Sequence, residues 1–103
     1  MAGINKVWMD YQGATTQTKK LEEIAATLQK IGKNELPDKM EKIRKDWEGE
    51  NAQEYLRKMQ ALITKIEKTS SDLSKIASKI QTATNRTYET EMKNLEVAKV
   101  RKQ

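Results

Sequence analysis

Apolar residues in this chain recur at steps of three and four over two long stretches, and that spacing leaves room for little except helices. In the first stretch Ile4, Val7, Tyr11, Ala14, Thr18, Leu21, Ala25 and Leu28 fall on one face, and Ile24 and Ile31 widen the stripe. A second row starts after Gly49 with Ala52, Leu56, Met59, Ile63, Ile66, Ser70, Leu73, Ala77, Ile80, Thr84 and Thr87. This row is heptad-like, and Tyr55, Leu62 and Ile76 broaden it. From Thr84 onward it turns polar through Thr87, Glu91 and Asn94, so the core is expected to end near Tyr88. Residues 89–103 then read as a polar tail, partly helical or disordered.

Between the rows the spacing slips. After Leu28 the apolar positions resume at Leu36, Met40, Ile43 and Trp47, across the stretch Gly32-Lys33-Asn34-Glu35-Leu36-Pro37. Gly32 suits a helix C-terminus, and Asn34 suits the cap of a new helix with Pro37 in its first turn. The other reading is one long helix with a stutter and a proline kink. Either way the first arm covers about residues 4–45 with a kink or break near 32–37. A bend follows at 46–50, and a second helix starts at 51.

A connection this short makes the two arms antiparallel neighbours, so residues 1–88 read as one helical hairpin. A two-helix hairpin buries one face of each helix and is marginal alone. Both stripes are wider than a single seam needs. Leu21, Leu28, Leu56, Met59, Ile63, Ile66 and Leu73 are expected to form a combined core and dimer stripe. The fold class is therefore all-α: an antiparallel helix–turn–helix hairpin that pairs into a four-helix-bundle dimer.

Composition narrows the chemistry. The 103 residues include no Cys and no His, which removes thiolate chemistry and the usual general base and zinc ligand. Nothing in the pattern places Ser70, Ser71, Ser74 or Ser78 in a pocket, and Ser74 and Ser78 lie one turn apart on a helix. Asp46, Glu48 and Glu50 alternate around the bend, but their spacing fails the twelve-residue calcium loop. No glycine-rich phosphate loop is present. The chain reads as non-enzymatic, without cofactor or metal. Lys plus Arg exceed Asp plus Glu by 20 to 15, a net charge of +5 with the signs interspersed, which does not point to nucleic acid. The basic end Lys99-Val100-Arg101-Lys102-Gln103 reads as a solvated helix terminus. No run is long and apolar enough for a membrane span, and Met1–Trp8 has no apolar core of a signal peptide.

At the bend stands Trp47-Glu48-Gly49. Gly49 can take the left-handed backbone needed between two helices, and Trp47 offers a large apolar plate with one N–H donor. Behind it, Asn51-Ala52-Gln53-Glu54 reads as a capping box, with Asn51 as the cap and Glu54 reaching back. Trp8 and Tyr11, near the start, read as bundle-end packing.

The stretch Trp47-Glu48-Gly49-Glu50-Asn51-Ala52-Gln53-Glu54-Tyr55 resembles the central signature of the WXG-hundred family, the early-secreted-antigen-like substrates of type VII (ESX) secretion. The resemblance extends over the whole chain in length, motif position, flanking stripes and polar tail. It implies Trp47 and Gly49 as the bend motif, and a small and an aromatic residue after the turn, as Ala52 and Tyr55 are here. Family members often carry a tail motif of Tyr followed four residues later by an acid. In this chain Tyr88 has Met92 at that spacing and Glu91 one residue earlier. Steps of three and four share a helix face, so Tyr88 and Glu91 are the candidate export patch.

What the resemblance implies is a secreted, non-enzymatic substrate that acts through protein–protein contact. It would leave the cytoplasm by a route independent of a signal peptide. The partners would be a second copy, or a related small helical protein, and the type VII secretion ATPase. A variant of this reading makes the chain the dedicated partner or targeting chaperone of a larger toxin. A reading from another class is a cytosolic coiled-coil adaptor. Membrane contact is left open by the sequence.

Overall fold

A computed structural model describes residues 2–47 and 49–101. Three α-helices account for nearly all of them: α1 (Ala2–Lys30), α2 (Leu36–Asp46) and α3 (Glu50–Arg101), with a π-helical turn at Ile31–Glu35 joining α1 to α2. There is no strand among the described residues. The fold is all-helical, and its centre is a helical hairpin. The distribution of Gly and Pro explains the unequal arms. All four glycines and the single proline lie at or before position 49, so nothing in α3 favours a break over 52 residues.

The chain groups into two compact units, Met1–Leu21 with Lys75–Gln103 and Glu22–Ser74. In the first, the two helix ends run antiparallel. A Cβ built on Gly3 would lie 3.3 Å from Leu95 Cδ2, the Tyr11 and Tyr88 rings are 4.6 Å apart, and Gln81 Nε2 donates to Thr15 Oγ1 at 3.4 Å. Thr18 and Ala77 are its most deeply buried residues. Thr18 is buried without penalty because its hydroxyl donates to Ala14 O within the same helix, at 3.0 Å.

The second unit is the hairpin proper. Ser70 Oγ crosses from α3 to donate to Ala25 O at 2.7 Å, and a Cβ on Gly32 would stand 3.2 Å from Glu67 Cγ and 3.4 Å from Ile66 Cγ2. A side-chain hydroxyl that reaches a backbone carbonyl of the facing helix needs helices in close approach. The buried positions around this bond permit it because most are small: Ala25 and Gly32 on one side, Ala52 and Ser70 on the other, with Met40 and Ile63 as the larger members of the unit.

The slip near Gly32 is neither a break nor a new start. Gly32 is buried in the seam instead of ending a helix, and Asn34 lies inside the π-helical turn instead of capping one. The residue before α2 is Glu35, itself in right-handed helical geometry, and no side chain caps the junction. The Leu36 N–H reaches back five residues to Ile31 O. That wide turn takes up one extra residue, so the next buried position after Gly32 is Met40. It also places Pro37 in the first turn after a junction, where its missing N–H costs least.

The tail is helical as far as it is described, and the packed core runs past its expected end. The described part of 89–103 is helical to Arg101, and Glu91, Met92 and Leu95 are half-buried, so the packed surface passes Tyr88. The reason is Gly3, whose missing side chain lets Leu95 pack against the start of α1. Residues 102 and 103 of the expected tail lie outside the described residues.

Small residues in the seam set a test. Ala25→Leu and Ala77→Leu should each destabilise the protein by about 1–3 kcal/mol through overpacking. Ala83→Leu, at an exposed site on α3, should stay within about 0.5 kcal/mol. Urea unfolding followed by circular dichroism measures all three. Equal effects at the three sites would contradict a close-packed seam.

Candidate functional site: the bend and the apolar face beside it

α2 ends where Trp47 turns extended, at φ −113° and ψ 136°, while its N–H still bonds Ile43 O at 2.8 Å. Two residues later Gly49 takes φ +102°, a left-handed conformation, and its carbonyl accepts Gln53 N–H at 3.3 Å. Gly49 is therefore the residue that caps α3, and its reversal is what makes so short a bend possible. Glu48, between the two, lies outside the described residues.

This geometry corrects the capping box. Asn51 sits in the second position of α3, in helical geometry, and cannot be the cap. The Glu54 carboxylate lies 3.7 Å from Lys58 Nζ in an exposed pair one turn on, rather than reaching back. The reason is that glycine turned the chain earlier than the sequence pattern assumed, and α3 begins at Glu50, an acid well placed at a helix N-terminus.

Trp47 is 53% exposed. Its ring packs against Tyr55 at 5.8 Å between centroids, and it borders a groove of about 720 Å³ with Met40, Ala52, Leu56, Arg44 and Arg57. It is a half-covered plate at the hairpin end.

The expected stripe residues border the buried seam, and one of them lies in it. Ile63 is buried, and Leu21, Leu28, Leu56, Met59, Ile66 and Leu73 are half-buried. The residues that widen the stripe are less covered: Ile24 is 50% exposed and Leu62 49%. Within the Glu22–Ser74 unit these side chains share a face. Ile24 and Ile31 immediately precede the buried Ala25 and Gly32, and Leu62 immediately precedes the buried Ile63. One residue back is a rotation of about 100° to the same side on every helix. In an antiparallel pair, equal rotations on the two helices turn to a common face. The opposite side is polar: Gln29 and Lys33 of the first arm and Glu67, Ser71 and Ser74 of α3 line one shallow groove there. The hairpin is thus two-sided, with an open apolar face and a polar one. Ser71 and Ser74 line this open polar groove, and Ser78 belongs to the other unit.

Tyr88 and Glu91 are brought together in the other unit. Both are half-buried and line a cavity of about 240 Å³ with Val7, Asp10, Tyr11 and Thr87. Tyr88 packs on Tyr11 and Trp8, its ring centroid 6.0 Å from that of Trp8. Sequence spacing along α3 alone did not reveal the Trp8–Tyr11–Tyr88 cluster, because its members come from opposite ends of the chain. No group of His, Cys, Asp or Glu suited to a metal ion occurs among the described residues. The chain matches no family model, no curated protein and no solved structure among those compared.

At the bend the two motif residues should respond differently. A Cβ on Gly49 meets no atom within 4 Å, so the expected penalty comes from backbone conformation and not from a clash. Gly49→Val should cost about 1–3 kcal/mol. Trp47→Ala should cost about 1–2 kcal/mol, less than a core tryptophan, because the ring is only half covered. Thermal unfolding by circular dichroism checks both, and an unchanged melting temperature in Gly49→Val would refute the positive-φ turn.

Proposed function

We propose that this chain is a non-enzymatic interaction protein that pairs through its open apolar face with a second hairpin, forming a four-helix bundle. The observation that carries this reading is the one-sidedness of the hairpin, where Ile24, Ile31 and Leu62 crowd one face and the other is polar. Leaving that face in water forfeits about 25 cal/mol for each Å² of apolar surface. A second copy offers the same face, so a twofold pairing is self-complementary. A related helical protein with a similar face is the other partner of this chemistry.

The bend adds the biological role. A half-exposed tryptophan followed two residues later by a left-handed glycine, at the middle of a cysteine-free hairpin, supports the resemblance to type VII secretion substrates. The protein is accordingly proposed to be made in the cytoplasm and exported without a signal peptide by a type VII ATPase, alone or beside a larger toxin. Tyr88 and Glu91 are the proposed export patch. Among the described residues no helix is long and apolar enough to cross a membrane.

Pairing and export have separate tests. Sedimentation at micromolar concentration should give a dimer, and Ile24→Glu with Leu62→Glu should give a helical monomer. A wild-type monomer with full helicity and no gain on adding a partner removes the pairing. In a bacterium with a type VII system, the protein should reach the medium only when the ATPase is intact. Release that is indifferent to the ATPase removes the secretion role and leaves the pairing standing.

A further inference from the structure

The groove beside Trp47 joins an apolar floor to a cationic rim. Of the residues that line it, Met40 and Ala52 are buried and Leu56 is half-buried. Trp47 adds a half-exposed ring, held in place by Tyr55. Two arginines line the same groove, Arg44 from α2 and Arg57 from α3, and no acid lines it among the described residues. Arg44 has one carboxylate nearby, Glu41 at 3.6 Å, in a pair that is more than half exposed. Such a pair holds its members weakly, so Arg44 is free to turn to another carboxylate. Arg57 takes part in no ion pair among the described residues, and Glu54, one turn before it, pairs with Lys58.

The groove also opens away from the proposed pairing face. On α3, Gln53, Arg57 and Gln60 line it, and steps of three, four and seven carry that row on to Glu67, Ser71 and Ser74 of the polar side. Leu62 lies two residues past Gln60, a rotation of about 160° from it. A hairpin paired through Leu62 therefore keeps the groove uncovered. Its volume of about 720 Å³ is that of a ligand site, but it is open to solvent along the hairpin end and so suits a chain segment.

From this arrangement we infer that the groove docks an acidic peptide segment of another protein. The segment sets a large apolar side chain on the floor of Met40, Ala52 and Leu56, and its flanking Asp or Glu carboxylates meet Arg44 and Arg57. A guanidinium offers a planar fork of donors that a carboxylate accepts in two bonds. Tryptophan and arginine around a covered apolar centre are also the residue types that anchor protein contacts. A nucleic-acid backbone would satisfy the arginines and leave the apolar floor unfilled, and a basic segment would be repelled. The inference rests neither on pairing of the hairpin nor on export.

Tryptophan fluorescence tests this on the full chain carrying Trp8→Phe, so that Trp47 alone emits. The probe is a short, end-blocked peptide in which glutamates flank a central leucine and phenylalanine. Trp47 emission should shift to the blue at sub-millimolar peptide, and the shift should fade as salt rises from about 0.1 M to 0.5 M. Arg44→Gln and Arg57→Gln should each weaken binding about tenfold. Arg57→Lys should weaken it less, because the charge stays and only the fork is lost. A peptide with serines in place of leucine and phenylalanine should bind at least about tenfold more weakly. Both arginines are exposed, and circular dichroism verifies that the variants keep their helices. Unshifted emission, equal binding of a peptide with lysines for glutamates, or full binding by the double glutamine variant overturns the proposal. So does tighter binding of a short DNA duplex. A smaller dimer fraction of the double variant in sedimentation also overturns it, since a second copy is then the occupant.

Discussion

Two helices can approach closely only where neither carries bulk at the contact, and everything else in this protein depends on that. On the first arm the buried positions Thr18, Ala25 and Gly32 recur every seven residues, and on α3 Ile63, Ser70 and Ala77 do the same. Mostly small residues at one seam position allow the backbones to come near enough for Ser70 to donate to Ala25 O. That bond satisfies a buried hydroxyl and ties the two helices together at this register. No buried side-chain polar atom among the described residues lacks a partner.

A seam of small residues has a consequence for the large ones. Because Ala, Gly, Ser and Thr fill the contact, Ile24, Ile31, Leu62 and their neighbours are displaced to its edge instead of being enclosed. They gather on one side because each precedes a seam residue by one position, and antiparallel pairing turns that common offset into a common face. The close contact thus creates the open apolar surface on which the proposed assembly rests. The π-helical turn belongs to the same scheme. It takes up one surplus residue and hands the seam on from Gly32 to Met40. Pro37 then sits just past it, within a continuous helical path.

The bend carries a second surface. Trp47 and Gly49 reverse the chain in three residues and leave an aromatic plate half in solvent. Arg44 and Arg57 beside that plate give it a chemistry different from that of the apolar face.

The sequence by itself determined the helices, the antiparallel hairpin and the place of its bend, because steps of three and four and the position of Gly49 are local properties that hold whatever the chain packs against. It also excluded thiol and imidazole chemistry, since a residue type that is absent has no geometry to decide. Tertiary structure alone decided the rest. Gly32 and Asn34 carry the local marks of a helix boundary, yet pairing with α3 holds the chain helical through them, and a buried glycine there is worth more as space for Ile66 and Glu67 than as a stop. Asn51 has the chemistry of a cap, but the φ of Gly49 had already begun the helix. Trp8 and Tyr11 are separated from Tyr88 by most of the chain, and only the antiparallel register brings Tyr88 onto them. Periodicity likewise showed how wide each stripe is, but not that both stripes open on the same side. That depends on the relative rotation of two helices about their contact, which no single helix encodes.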